Sequence, residues 1–162
     1  MNTCIKVKEK IPPSGKLIEK KGLARFSRLT IELSDGTSAI SNANTATYDI
    51  LAVIPMNEKM LQAACASMDV DIITFDFDSK IPFPLKHSII GLGVNRNVFF
   101  EIPYSSSLHG DEEELILDSG IRRNWISNCH NLIRATRGKN IIMSGKCERA
   151  IDLRGPHDLV NM

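Results

Sequence analysis

Apolar and polar residues follow two periods along this chain, and the places where one period gives way to the other mark its elements. Arg28-Leu-Thr-Ile-Glu-Leu33 alternates strictly and predicts a strand with one buried face. Asp35-Gly36 follows as a turn, and the polar run Thr37–Thr47 predicts a loop or a short helix. Tyr48-Asp-Ile-Leu-Ala-Val-Ile54 is almost continuously apolar, the pattern of a strand buried on both faces, and Pro55 ends it. From Asn57, a predicted helix cap, the period becomes helical: Met60, Leu61, Ala64, Cys65 and Met68 fall on one side.

A strand is predicted over Asp71–Phe77, an extended connection at Ile81-Pro-Phe-Pro84, a short helix over Ser88–Arg96 weakened by Gly91 and Gly93, and a strand over Val98–Ile102. Tyr104 and three serines come next. Gly110–Gly120, with Asp111-Glu-Glu-Glu114, reads as an exposed and mobile insertion. Ile121–Thr136 is the clearest helix, with Ile121, Trp125, Cys129, Leu132 and Ile133 as its apolar stripe, Arg123, Asn124, Asn131 and Arg134 opposite, and Gly138 as its C-cap. Asn140–Met143 is a fifth strand. Ser144-Gly145 turns into a loop carrying Lys146, Arg149 and Arg154, and Gly155-Pro156 opens a further helix, since proline suits a first turn. Five buried strands alternating with helices define an α/β fold with a mainly parallel sheet.

Composition narrows the class. With 162 residues, 43% apolar content and a mean hydropathy of -0.09, the chain suits one soluble domain with a real core. Residues 1–27 read as a basic, poorly ordered lead-in, interrupted by Pro12-Pro13-Ser14-Gly15, and 28–162 as a single α/β domain. No apolar run reaches the roughly 18 residues of a membrane span, and the N-terminal residues have no secretory h-region. The four cysteines are scattered with no C-x-x-C, as free thiols in a reducing compartment would be. The net charge of +1 conceals a segregation: residues 1–28 balance at +6, 29–120 at -10, and 121–154 at +6. Two basic segments around an acidic one suit an anionic partner on one face.

Candidate chemistry is sparse. Neither G-x-G-x-x-G nor G-x-x-x-x-G-K-[ST] is present. Asp76, Asp78, Glu101, Tyr104 and Ser144 lie near predicted strand ends, where a β/α barrel does its chemistry. A metal site there would want histidines as well, and His87, His109, His130 and His157 are isolated. Glu101 lies within its strand and suits a buried acid paired with a basic side chain. Ser144-Gly145 lacks the G-x-S-x-G nucleophile context, and Cys147, beside Lys146 and Arg149, reads as an ordinary thiol. No catalytic residue, metal or cofactor is expected. The strongest candidate is a basic set: Arg122, Arg123, Arg134, Arg137, Lys139, Lys146, Arg149 and Arg154. Arginine forks match phosphate oxygens bidentately. Few aromatics accompany these residues in the sequence, so backbone contact with structured RNA fits better than base stacking.

Several segments taken together resemble a known family. They are Asp69-Val-Asp-Ile-Ile-Thr-Phe75, Ile81-Pro-Phe83, Phe100-Glu-Ile-Pro-Tyr-Ser105, Arg122-Arg123, Gly138-Lys-Asn-Ile-Ile-Met-Ser144 and Leu153-Arg-Gly-Pro-His-Asp158, with Arg28–Ile31 and Tyr48–Pro55 before them. In order and spacing they resemble the thirty-kilodalton, TIM-barrel protein subunit family of ribonuclease P. The resemblance implies a barrel of the polymerase-and-histidinol-phosphatase-like (PHP) superfamily, used as an RNA-binding scaffold and incomplete in this chain, because such barrels run to about 250 residues. It implies a non-catalytic subunit of a nuclear, nucleolar particle whose RNA removes the 5′ leader of precursor tRNA, and which shares the subunit with RNase MRP. The implied partners are the ribonuclease P RNA, a small Pop-type protein and, indirectly, precursor tRNA; no membrane is involved. A stand-alone metal-dependent phosphoesterase of the same superfamily, with Asp76, Glu101 and His157 as ligands, is the alternative.

Overall fold

The computed structural model describes residues 7–10, 26–34, 47–105, 115–147 and 150–161. One sheet of six strands runs through it: β1 (Val7–Lys10), β2 (Arg28–Leu33), β3 (Ile50–Pro55), β4 (Ile72–Ile73), β5 (Phe99–Pro103) and β6 (Ile141–Ser144). Spatial order follows chain order, and β2 to β6 are all parallel. They are the five strands that the hydrophobic pattern predicts. β1, which falls inside the segment read as a lead-in, pairs antiparallel with β2, Val7 opposite Ile31 and Lys10 opposite Leu29. The rest of that segment up to residue 25 lies outside the described residues, as do 35–46, most of the polar run predicted as a loop or short helix.

Parallel neighbours need a crossover. Helix α1 (Glu58–Ala66) joins β3 to β4, α2 (His87–Asn95) joins β4 to β5, and α3 (Leu115–Thr136) joins β5 to β6; a short α4 (Pro156–Val160) follows a 3-10 turn at Ala150–Asp152. A sequentially ordered parallel sheet with a helix after each of β3, β4 and β5 is a TIM-barrel-like arrangement. One core joins Leu29, Ile31 and Leu33 of β2, Val53 of β3, Ile73 of β4 and Phe100 and Ile102 of β5 to Leu61 and Cys65 of α1, Ile89 and Ile90 of α2, and Cys129 and Leu132 of α3. The three crossover helices therefore cover one face of the sheet, and strand parity sends Arg28, Thr30, Thr74, Glu101 and Ser144 to the other.

Local chemistry fixes these elements. The Asn57 side chain accepts from the Met60 amide at 2.8 Å, capping α1 as predicted. Gly93 in α2 is a close-approach glycine: a Cβ there would lie 3.1 Å from the Phe100 ring and 3.3 Å from Cys65 Sγ. The glycines that weaken a helix in sequence thus include one that lets α2 seat against β5.

Three expectations are corrected. The strand expected over Asp71–Phe77 pairs only at Ile72–Ile73, because Asp76 accepts from the Asp78 amide and the Ser79 hydroxyl and bends the chain away. Phe75 and Phe77 remain buried all the same. Helix α3 begins at Leu115 rather than Ile121, so the last part of the expected insertion is helical; residues 106–114 lie outside the described residues. Ile133 is 46% exposed and does not belong to the buried stripe of α3. At 100° per residue it lies about a quarter turn from the line through Trp125, Cys129 and Leu132. Asn128, Ala135 and Thr136 fill the stripe in its place.

Candidate nucleic-acid interface

Helix α3 carries the candidate surface. From Gly120 to Arg137 the chain has no acidic residue, and Arg122, Arg123, His130, Arg134 and Arg137 are all exposed. The side of the helix turned from the core is a stripe of Arg123, Ser127, His130, Arg134 and Arg137, flanked by the exposed Ile126 and Ile133. Arg122 to Arg137 spans roughly 22 Å of helix. Arg122 and Arg123, with Ile126, Ser127 and His130, line an open depression of about 620 Å³. The ion pairs among the described residues are Arg28–Glu101 and Lys86–Glu58, so none of these arginines has its charge met by a carboxylate there.

The helix ends under strain. Arg137 takes the left-handed conformation (φ 55°), followed by Gly138 (φ 72°) and Asn140 (φ 51°). The Gly138 amide donates to Ile133 O at 3.1 Å, and Asn140 Nδ2 donates to Val94 O and Val98 O, tying this corner to the end of α2. Lys139 is exposed on the same corner. Lys146 is exposed and also left-handed (φ 46°), just past the far end of β6. Arg154 is exposed, and its backbone amide donates to the Tyr104 hydroxyl at 3.1 Å. Arg149 lies outside the described residues. Arg134, Arg137 and Lys139 stand where α3 leads into β6, and Lys146 and Arg154 follow its exit. Trp125 Nε1 donates to Pro103 O, opposite Ser144, which sets Arg122 and Arg123 toward that exit end.

The face of the sheet opposite the three crossover helices holds a second polar group. Arg28 Nη1 and Nη2 donate to the two carboxylate oxygens of Glu101 at 2.5 and 2.6 Å, and Arg28 Nε donates to Thr30 Oγ1. On a flat sheet the strands of these two residues, three spacings apart, would stand about 14 Å from one another. Their contact means that the sheet curls toward this face. Burial alone would raise the Glu101 pKa; the Arg28 guanidinium and the hydroxyls of Ser144 and Thr74 outweigh it and hold the acid below its ordinary value. Glu101 is thus the buried, paired acid that its place in the strand predicts. Its oxygens are engaged by Arg28, Asp76 is engaged in its own turn, and His157 is exposed on α4. No group of three His, Cys, Asp or Glu side chains among the described residues is placed to hold a metal ion.

Two features escape a linear reading. Arg28 lies 73 positions from Glu101, though strand parity puts both on the same face. Asn128 is buried at 2% exposure, where its side chain donates to Ser79 O and accepts from the Ile81 amide.

A curled, sequentially ordered β/α sheet, braced inside by an ion pair and bearing exposed arginines on an outer helix, defines a barrel-type α/β protein that presents a basic surface. The family described as RNase P subunit p30 matches residues 1–162, and the chain belongs to it, as its motifs predict. Over 155 residues it is 36% identical to the Schizosaccharomyces pombe protein "Probable ribonuclease P protein subunit 3", covering 94% of this chain and 62% of that one. It is 31% identical over 141 residues to "Ribonuclease P/MRP protein subunit RPP1" of Saccharomyces cerevisiae, covering 86% and 45%. The chain thus spans about half to three fifths of these relatives' length. Among solved structures, a chain of the "cryo-EM structure of archaeal Ribonuclease P with mature tRNA" superposes with a TM-score of 0.59 at 18% identity, over 86% of this chain and 59% of that one, which establishes a shared fold.

Proposed function

We propose that this chain is a non-catalytic, RNA-binding protein subunit of ribonuclease P, and of RNase MRP, supporting removal of the 5′ leader from precursor tRNA while the RNA performs the hydrolysis. The observation that carries this is the exposed side of α3: four arginines, no acid between Gly120 and Arg137, and no carboxylate paired with them among the described residues. Family membership and the relatives' names support the particle. The RNA partner is the ribonuclease P RNA, touched through its phosphates by Arg122, Arg123, Arg134, Arg137, Lys139, Lys146, Arg149 and Arg154. A small Pop-type protein subunit is the protein partner, precursor tRNA is reached indirectly, and the setting is the nucleus, in its nucleolar part.

Affinity for the particle's RNA is measured against salt. Each phosphate neutralised releases counterions, so replacing Arg122, Arg123, Arg134 and Arg137 by alanine is expected to flatten the slope of log affinity against log salt by about three. Alanine at Arg149 and Arg154 should weaken RNA association together. An unchanged slope and affinity in both variants would overturn the assignment.

A further inference from the structure

Beside the basic helix lies a groove that no sequence motif announces. It has a volume of about 600 Å³ and runs between α3 and the connection that precedes α2. That volume lies within the roughly 300–1,000 Å³ of small-molecule sites. One wall is the strap Ile81-Pro-Phe-Pro-Leu85; the other is the α3 side of Asn128, Asn131 and Arg134. Pro82 and Pro84 fix their own φ and hold Ile81 and Phe83 extended, so the strap is rigid before anything binds. Asn128 fastens it through both ends of its amide, to Ser79 O and the Ile81 amide. The Phe83 ring is set by Phe75, with centroids 6.4 Å apart and planes inclined at 60°.

The lining is selective. Lys80, His87 and Arg134 stand around an apolar wall, and no carboxylate lines the groove. His87 Nδ1 lies 2.6 Å from Ala135 O; a carbonyl only accepts, so Nδ1 carries the hydrogen and Nε2 is the ring's second polar atom. The side chains of Lys80, Asn131 and Arg134 have no hydrogen-bond or ion-pair partner among the described residues. A flat apolar wall, an amide with both functions free and two unmatched cations are the set that receives a base, its edge and its phosphate. Arg134 belongs both to this groove and to the α3 stripe, so a strand bound along the helix passes its mouth.

We propose that the groove is a binding site for one unpaired nucleotide of single-stranded RNA, its base against Phe83, its edge read by Asn131 and its phosphate held by Lys80 and Arg134. The proposal rests on α3 being an RNA surface and adds base contact, which the sparse aromatics in the sequence do not suggest, because Phe83 and Arg134 meet only in the fold.

The full chain is titrated with a short single-stranded RNA bearing 4-thiouridine and with a hairpin of equal length. Irradiated complexes are digested with trypsin, which releases Ile81–Lys86 as its own peptide. The crosslink is expected on that peptide. Lys80→Ala and Asn131→Ala, both at exposed positions, are each expected to weaken single-strand binding about tenfold and to leave hairpin binding within about twofold. Crosslinks confined to other peptides, or equal losses for both RNAs, would overturn the nucleotide site alone, as would protection of the strap by the small protein partner without an RNA crosslink. Failure of the unmodified chain to bind either RNA would overturn the RNA reading of α3 together with it.

Discussion

Arg28 and Glu101 stand where the inner face of a curled sheet would otherwise take apolar side chains, with side-chain exposures of 23% and 5%. A pair of this kind adds little over a well-packed apolar pair, yet removing one partner strands the other. Glu101→Leu is expected to destabilise the fold by about 3 kcal/mol in chemical denaturation, and Arg28→Met added to it should recover most of the loss. The pH dependence has a definite sign. Because the folded acid titrates below its ordinary value of 4.5, the unfolded chain binds the proton more readily, and the pair's stabilisation is present above that value and lost as pH falls through the folded one. Glu101→Gln should therefore flatten the acid limb of a stability profile. At Arg137 a long side chain holds a backbone angle that glycine adopts freely. Arg137→Gly should raise stability by about 0.5–1 kcal/mol in thermal unfolding while weakening RNA binding, so strain and function separate in a single variant.

At the scale of elements, α2 offers a comparison within one helix. A Cβ at Gly91 would meet nothing within 4 Å, whereas one at Gly93 would press on Phe100 and Cys65. Gly91→Ala should stabilise by about 0.5–1 kcal/mol through helix propensity, and Gly93→Ala should cost about 1 kcal/mol or more through overpacking, as urea midpoints will show. The five parallel strands, the Asn57 cap and the long helix were legible because each depends on residues within about four positions, two apart in a strand and three or four in a helix. The truncated pairing of β4 was not, since the Asp76 turn outcompetes a ladder that Phe75 and Phe77 would otherwise extend. Ile133 misled because it is apolar and close in phase to the buried stripe, while Asn128, polar and buried, is explained only by the strap it fastens. The cations were legible one by one, but not the way α3, running back against the strand, spreads them from the exit of β6 to its entry.

At the scale of the whole molecule, the core shared by sheet and helices makes two cysteines reporters of global opening. Burial pushes the Cys65 thiol up to about 11 and the Cys129 thiol up to about 12. Both should resist an aromatic disulfide reagent in the native state at neutral pH and react at the rate of unfolding, in step with loss of far-ultraviolet circular dichroism. Electrostatics at this scale are divided as well: among the described residues the outer helix carries cations that no carboxylate pairs with, and on the inner face Arg28 is paired with Glu101.

Because every strand of the sheet lies next to its predecessor, each new β/α unit can settle on one already made while the ribosome is still working. The brace between positions 28 and 101 is different. The two positions are 73 apart, so at about 5–20 residues per second the guanidinium waits roughly 4–15 s for its acid to emerge. During synthesis the first strands therefore stand without this brace, and only the arrival of Glu101 ties β2 to β5 across the inner face.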